Sequence, residues 1–277
     1  LAVVITGVAL AGVLSARFGI AAALVELIMG VTLGAVTSAD PKTPWLVLIA
    51  SLGGVAVTFL AGTQIDARAL ARAPRPALLL GGVAFTVSFA AAFAVARFAL
   101  DWSLTAALVS AMVLAETSLA VTYAVLFDLG LLDSDLGRLV TAAVFLTDVA
   151  AALALSAVIS RPSWAILGFI AGSVAVCLLL PRLLRRLEQR HARAASAPGL
   201  RVVVLALVSL MLLAQVTGGV AVLPAFVLGV CCARHYRDHP AAADRLRTVV
   251  MTFVAPFFFV RAGLSVSVPA VVAGATV

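Results

Sequence analysis

The chain has 277 residues, 64% of them hydrophobic and 11% charged, with a mean hydropathy of +1.21. An ordinary soluble domain is about 45–50% apolar and about 25% charged, so these proportions exclude a soluble enzyme or a free binding module and define an integral membrane protein. The net charge of +7 invites a nucleic-acid partner, but the placement of the charges along the chain excludes one.

Apolar stretches of about 18 residues or more are candidates to cross a bilayer as helices, because about 20 residues at 1.5 Å each span a hydrocarbon core of roughly 30 Å. In chain order they fall at 1–16, 20–37, 45–63, 77–99, 103–130, 137–160, 164–185, 201–217, 219–235 and 246–265, with another beginning near 269. They are too long and too uniformly apolar for barrel strands of about 10 residues with alternating polarity. The expected class is an all-α polytopic membrane protein.

Of the 19 Lys and Arg, counting those near segment ends with the adjoining gap, 15 belong to gaps after odd-numbered segments and three (Lys42, Arg97 and Arg161) to gaps after even-numbered ones, while Arg261 is assigned to the interior of a segment. Basic residues concentrate on the cytoplasmic side of membrane proteins, so the odd gaps are expected inside and the first segment starts outside. The stretch "PRLLRRLEQRHARAASAPGLR" reads as an interior connector that anchors topology against anionic lipid. No signal peptide is legible at the start. The sequence opens on Leu1 and closes on Val277 inside an apolar run, so further residues are expected before Leu1 and a further helix after Val277.

Three acids fall at membrane depth, where each charge costs about 2.5–3.5 kcal/mol and marks a functional position by default. The first is Glu26 in "ALVELIMGVTLG". The second is Glu116 in "VLAETSLAVTYAV", where Glu, Thr117 and Ser118 follow one another in the middle of a segment longer than one crossing needs. Ser and Thr offer the backbone competing hydrogen bonds, so a helix interrupted at mid-membrane is expected there. Unwound backbone at that depth is tolerated only when buried in protein or lining a cavity, and it exposes oxygens that suit a small cation. The third is Asp148 in "VFLTDVAA", with Thr147 its only polar neighbour.

Arg261 is the one base within a segment, and it is expected to pair with a carboxylate, Glu116 or Glu26 before Asp148. His235 and His239 stand four apart beside Pro240 and read as a surface pair; no metal site beyond a transported monovalent cation is expected, and no catalytic residue. Cys177, Cys231 and Cys232 form no structural framework. Finally, "FLAGTQI" at 59–65 and "VRAGLSV" at 260–266 align Gly62 with Gly263 at opposite gap parity. Inverted repeats with broken helices at their interface are a common transporter architecture. The expected division is a first repeat over 1–160, a linking helix and cytoplasmic connector over 161–200 and a partial second repeat over 201–277, within a single transporter domain incomplete at its C-terminus.

With these motifs in hand, the chain resembles the monovalent cation:proton antiporters of the sodium/hydrogen exchanger superfamily, in their CPA2 branch. "ALVELIMGVTLG" resembles the family's Glu-xxx-Gly helix and "VTFLAGTQIDARAL" its Phe-Leu-Ala-Gly-x-x-Ile-Asp turn. "ETSLAVTYAVLFDLGLLDSDLGRLVTAAVFLTDVAA" is similar to its core signature, and "PFFFVRAGLSV" to its late Pro-x-Phe-Phe-x-x-x-Gly helix. The resemblance implies an inverted-repeat antiporter fold with an interrupted crossover helix and, over these residues, a truncated second repeat. It further implies that Asp148 binds cation and proton and that Thr117 and Ser118 line the crossover. Thr147 stands where many relatives have Asp or Asn, and Glu116, where relatives often carry a small residue, supplies a second acid; Glu26 and Arg261 are supporting charges.

The expected function is exchange of Na⁺ or K⁺ for H⁺ by alternating access, cation and proton competing for one buried aspartate, with no cofactor. An organic-anion symporter on a similar inverted repeat, or a membrane sensor that transports nothing, are the alternatives. The expected partners are the lipid bilayer and a second copy of the chain, not nucleic acid. The expected location is the plasma membrane, the inner membrane of a bacterium, crossed many times.

Overall fold

A computed structural model describes residues 2–37, 39–64, 75–159, 164–191 and 198–266, and every regular element among them is helical. In chain order these are α1 (Ala2–Phe18), α2 (Ala22–Val36), α3 (Pro44–Thr63), α4 (Arg75–Ala94), α5 (Leu104–Ala115) and α6 (Leu119–Asp128). They are followed by α7 (Asp135–Ile159), α8 (Trp164–His191), α9 (Pro198–Thr217), α10 (Val222–Asp238), α11 (Pro240–Val249) and α12 (Ala255–Leu264). A π-helical turn, Val95–Ala99, prolongs α4, and another, Val250–Val254, joins α11 to α12. Six helical runs among the described residues are long and apolar enough to cross a membrane. The chain is therefore a multi-pass membrane protein. Each of the ten complete segments read from the sequence finds helix, while the one near 269 and the turn over 65–70 lie outside the described residues.

Local chemistry sets the boundaries. Pro44 opens α3, where its missing N–H removes a donor that would have no partner in any case. The Ser103 hydroxyl accepts from Ala106 N–H at 3.3 Å and starts α5, and Ser134 accepts from Gly137 N–H at 3.0 Å and starts α7. Gly130, at φ 68°, ends α6 in the left-handed conformation that only glycine adopts freely. The predicted interruption is present: Glu116 (ψ 132°) and Ser118 (ψ 112°) are extended and separate α5 from α6.

The most extensive packing joins α3 to α10 and α2 to α12. Both crossings are made by glycines. A Cβ on Gly62 would drive into the Phe226 carbonyl and against Gly229, and one on Gly229 into the Phe59 carbonyl. In the other pair, Gly30 meets the Val260 carbonyl and Gly263 meets that of Leu27. Small residues let two backbones touch, which is how helices associate where lipid offers no hydrophobic drive. Around these crossings Phe59, Tyr123, Phe226, Leu228 and Phe259 form the core, all with at most 1% exposure. The α4–α7 helices dock on this frame through Phe145, whose ring stacks on Phe226 with centroids 3.9 Å apart.

Polar bridges hold the ends. Gln64 donates from its amide to Asp133 Oδ1 at 3.3 Å and accepts from Arg247 Nη2 at 2.8 Å, tying α3 to the α6–α7 turn and to α11. Asp128 Oδ2 accepts from Ala22 N–H at 2.6 Å at the start of α2. Arg261 corrects an expectation: its Nε donates to the carbonyl of Pro41 at 2.9 Å, and among the described residues it makes no ion pair with Glu26 or Glu116. The guanidinium lies at the C-terminal end of α12, within reach of the α2–α3 connection, so a backbone carbonyl meets its need.

Candidate functional site

Asp148 lies in the middle of α7, and its Oδ1 is buried with no hydrogen-bond partner among the described residues. A buried oxygen without a donor is costly, and in a native protein it calls for an explanation. The explanation lies in front of it: a cavity of about 300 Å³ lined by Asp148, Glu116, Ser118, Gly54, Thr58, Val222, Phe258 and neighbouring apolar groups.

Each lining group is positioned by local structure. Glu116 follows the last turn of α5, and its extended backbone takes its own N–H and C=O out of the helical ladder. Ser118 is the first residue before α6, where its hydroxyl accepts from Val121 N–H at 3.4 Å. The break therefore brings the carbonyl end of α5 and the amide end of α6 to one place, a negative and a positive dipole end beside the cavity. Thr58 lies on α3 one turn from Gly54 and donates to its carbonyl at 2.9 Å, so its hydroxyl oxygen remains an acceptor. The cavity is thus lined by the oxygens of Asp148, Glu116, Ser118 and Thr58 together with apolar groups, Val222 and Phe258 among them.

The structure brings three of the five expected binding residues together: Asp148, Glu116 and Ser118. Thr147 does not join them; it is buried, and its hydroxyl donates to the Val144 carbonyl at 2.7 Å. Successive residues on a helix point about 100° apart, so Asp148 and its neighbour cannot both face one cavity squarely. Thr117 is exposed and does not line the cavity. Glu26 is buried on α2, one turn beyond Ala22, and is not in the lining either. His235 is buried rather than superficial, its ring edge-on to Tyr236 at 5.2 Å and stacked on His239 at 4.9 Å.

Sequence reasoning missed Gly54, Thr58, Val222 and Phe258. Gly54 and Thr58 had left a signal in "SLGGVAVTFLAG", where the two stand four apart in a span whose other residues, Ser51 apart, are apolar or glycine. Val222 and Phe258 arrive by tertiary packing, with no local trace.

Two carboxylates meeting at broken backbone inside a membrane-crossing bundle suit the passage of a small cation rather than the making of covalent bonds, and secondary transporters are built this way. The family model described as sodium/hydrogen exchanger, transmembrane, matches residues 3–276, and the chain belongs to that family. It is a cation:proton exchange transporter and not an enzyme. No curated protein matches the chain.

Proposed function

We propose that the protein exchanges a monovalent cation, Na⁺ or K⁺, for H⁺ by alternating access, with the two ions competing for the carboxylate of Asp148. The observation that carries this reading is the unpartnered Asp148 Oδ1 at the cavity beside the helix break. A bare carboxylate there lacks a donor, and either a proton or an alkali ion supplies what is missing. Only one need be present at a time. A loaded, neutral carboxylate crosses between the two sides more readily than a bare one, so the movement of one ion is coupled to the return of the other.

Glu116, Ser118 and Thr58 add oxygen ligands to the site. Thr147 and Thr117 act, on this reading, through the shape of their segments rather than as ligands. Glu26 and Arg261 brace the frame. The helix crossings Gly62–Gly229 and Gly30–Gly263 support an inverted repeat, because each joins a helix of the first expected repeat to one of the second. The acidic lining disfavours an organic anion as cargo. The charge asymmetry supports an orientation with the odd-numbered gaps inside; the proposal places the protein in the plasma membrane as a homodimer that needs no cofactor.

With Thr147 withdrawn and neutral, one acid exchanges one proton for one cation. Membrane voltage then leaves the equilibrium unmoved. A second proton carried on Glu116 would instead make each cycle move net charge, with roughly 2.3 kcal/mol at stake per charge per 100 mV. The test is ion distribution at equilibrium in vesicles containing the full-length protein, with and without a membrane potential imposed by a gradient of a permeant anion that is not a cargo. The expected result is the same distribution in both, in wild type and in Glu116→Gln. A voltage-dependent distribution that turns voltage-independent in Glu116→Gln would make Glu116 the second proton carrier.

A further inference from the structure

The apolar part of the cavity lining has a construction that the exchange role does not require. Phe258 stands on α12 shortly after the π-helical turn Val250–Val254, and π turns inside helices often mark functional sites. Its ring lies against α3 where a side chain would normally project: a Cβ on Gly54 would stand 2.8 Å from Phe258 Cε2 and 2.9 Å from Cδ2. One residue earlier, Gly53 lets the Val254 carbonyl touch the α3 backbone, so the two helices have no slack. The ring is thus recessed into the notch left by glycine, and both Gly54 and Phe258 line the cavity. Any group added at position 54 pushes the ring outward. Because the ring lines the cavity, its displacement changes the bore.

From this geometry we infer that Gly54 and Phe258 together set the bore of the cavity and so select the transported cation by size. The inference rests on the exchange reading above. An aromatic ring offers no oxygen ligand, so the cation takes its ligands from Asp148, Glu116, Ser118 and Thr58, and the ring fixes how far a bulky ion or its remaining water extends from them. Widening or narrowing that gap acts on a large ion more than on a small one. A single methyl-sized change in a pocket discriminates between guests by about tenfold or more.

The experiment compares proton movement driven by Li⁺, Na⁺ and K⁺ in vesicles containing the full-length protein as wild type, Gly54→Ala, Phe258→Leu, the Gly54→Ala/Phe258→Leu double variant and Asp148→Asn. In Gly54→Ala, KM for K⁺ is expected to rise at least about tenfold more than KM for Li⁺. Phe258→Leu moves the K⁺-to-Li⁺ ratio the other way, and the double variant returns it toward wild type. Should Gly54→Ala fail to fold, Phe258→Leu alone decides: an unchanged ratio overturns the inference. A uniform change in KM for all three cations, or a double variant that restores nothing, overturns it too. If exchange is lost in Asp148→Asn while the ratio stays fixed in the wall variants, the bore fails and the shared site stands; exchange that persists in Asp148→Asn sinks both.

Discussion

Gly62→Ala is expected to cost the protein its α3–α10 crossing. The added methyl meets the Phe226 carbonyl and the backbone of Gly229, and neither can rotate away as a side-chain end could. Overpacking usually costs about 1–3 kcal/mol, and a clash with a fixed backbone lies at or above the upper end of that range. Gly82→Ala supplies the control, since no atom lies within 4 Å of a Cβ there. It should be neutral or stabilise α4 by up to about 1 kcal/mol, the helix-propensity gain of alanine over glycine. Thermal unfolding in detergent, followed by size-exclusion chromatography, separates the two. Equal stability of Gly62→Ala and wild type would mean that the helices do not cross at these glycines.

Asp148→Asn is expected to reduce exchange to the level of empty vesicles while the protein still folds. The amide preserves size and hydrogen bonding but neither binds a proton in the working range nor balances a cation. Folding survives because the carboxylate has no ion-pair partner among the described residues, and removing an uncompensated buried charge is neutral or stabilising. Exchange near wild-type rates in a well-folded Asp148→Asn protein would move the binding site elsewhere. Poor folding of the variant would instead give the carboxylate a structural partner.

Much of this architecture is legible in the residues because the bilayer enforces it. A helix must supply about 20 apolar residues to cross, so the segments declare themselves by length, and an acid within one is too costly to be incidental. For the same reason the break at Glu116, Thr117 and Ser118 could be read directly. Rotational phase and tertiary partners are harder to read. Thr147 adjoins Asp148 in sequence, yet its hydroxyl turns back to Val144, because nearly uniform hydrophobicity leaves no periodic pattern from which to fix which face looks inward. Arg261 finds the Pro41 carbonyl across 220 positions, a contact set by how α12 meets the α2–α3 connection and by nothing local. Gly54 and Phe258 belong to the same class: each is ordinary in its own helix, and their meaning lies in the contact.

The central claim is that proton and cation share one site, and the dependence of cation affinity on pH tests it most directly. Initial rates of cation-driven proton movement, measured across a series of pH values, give KM and the maximal rate at each. Competition predicts that on the acid side the apparent KM for the cation climbs in proportion to proton concentration while the maximal rate at saturating cation stays constant. A KM that ignores pH while the maximal rate falls would contradict it, placing the two ions on separate groups.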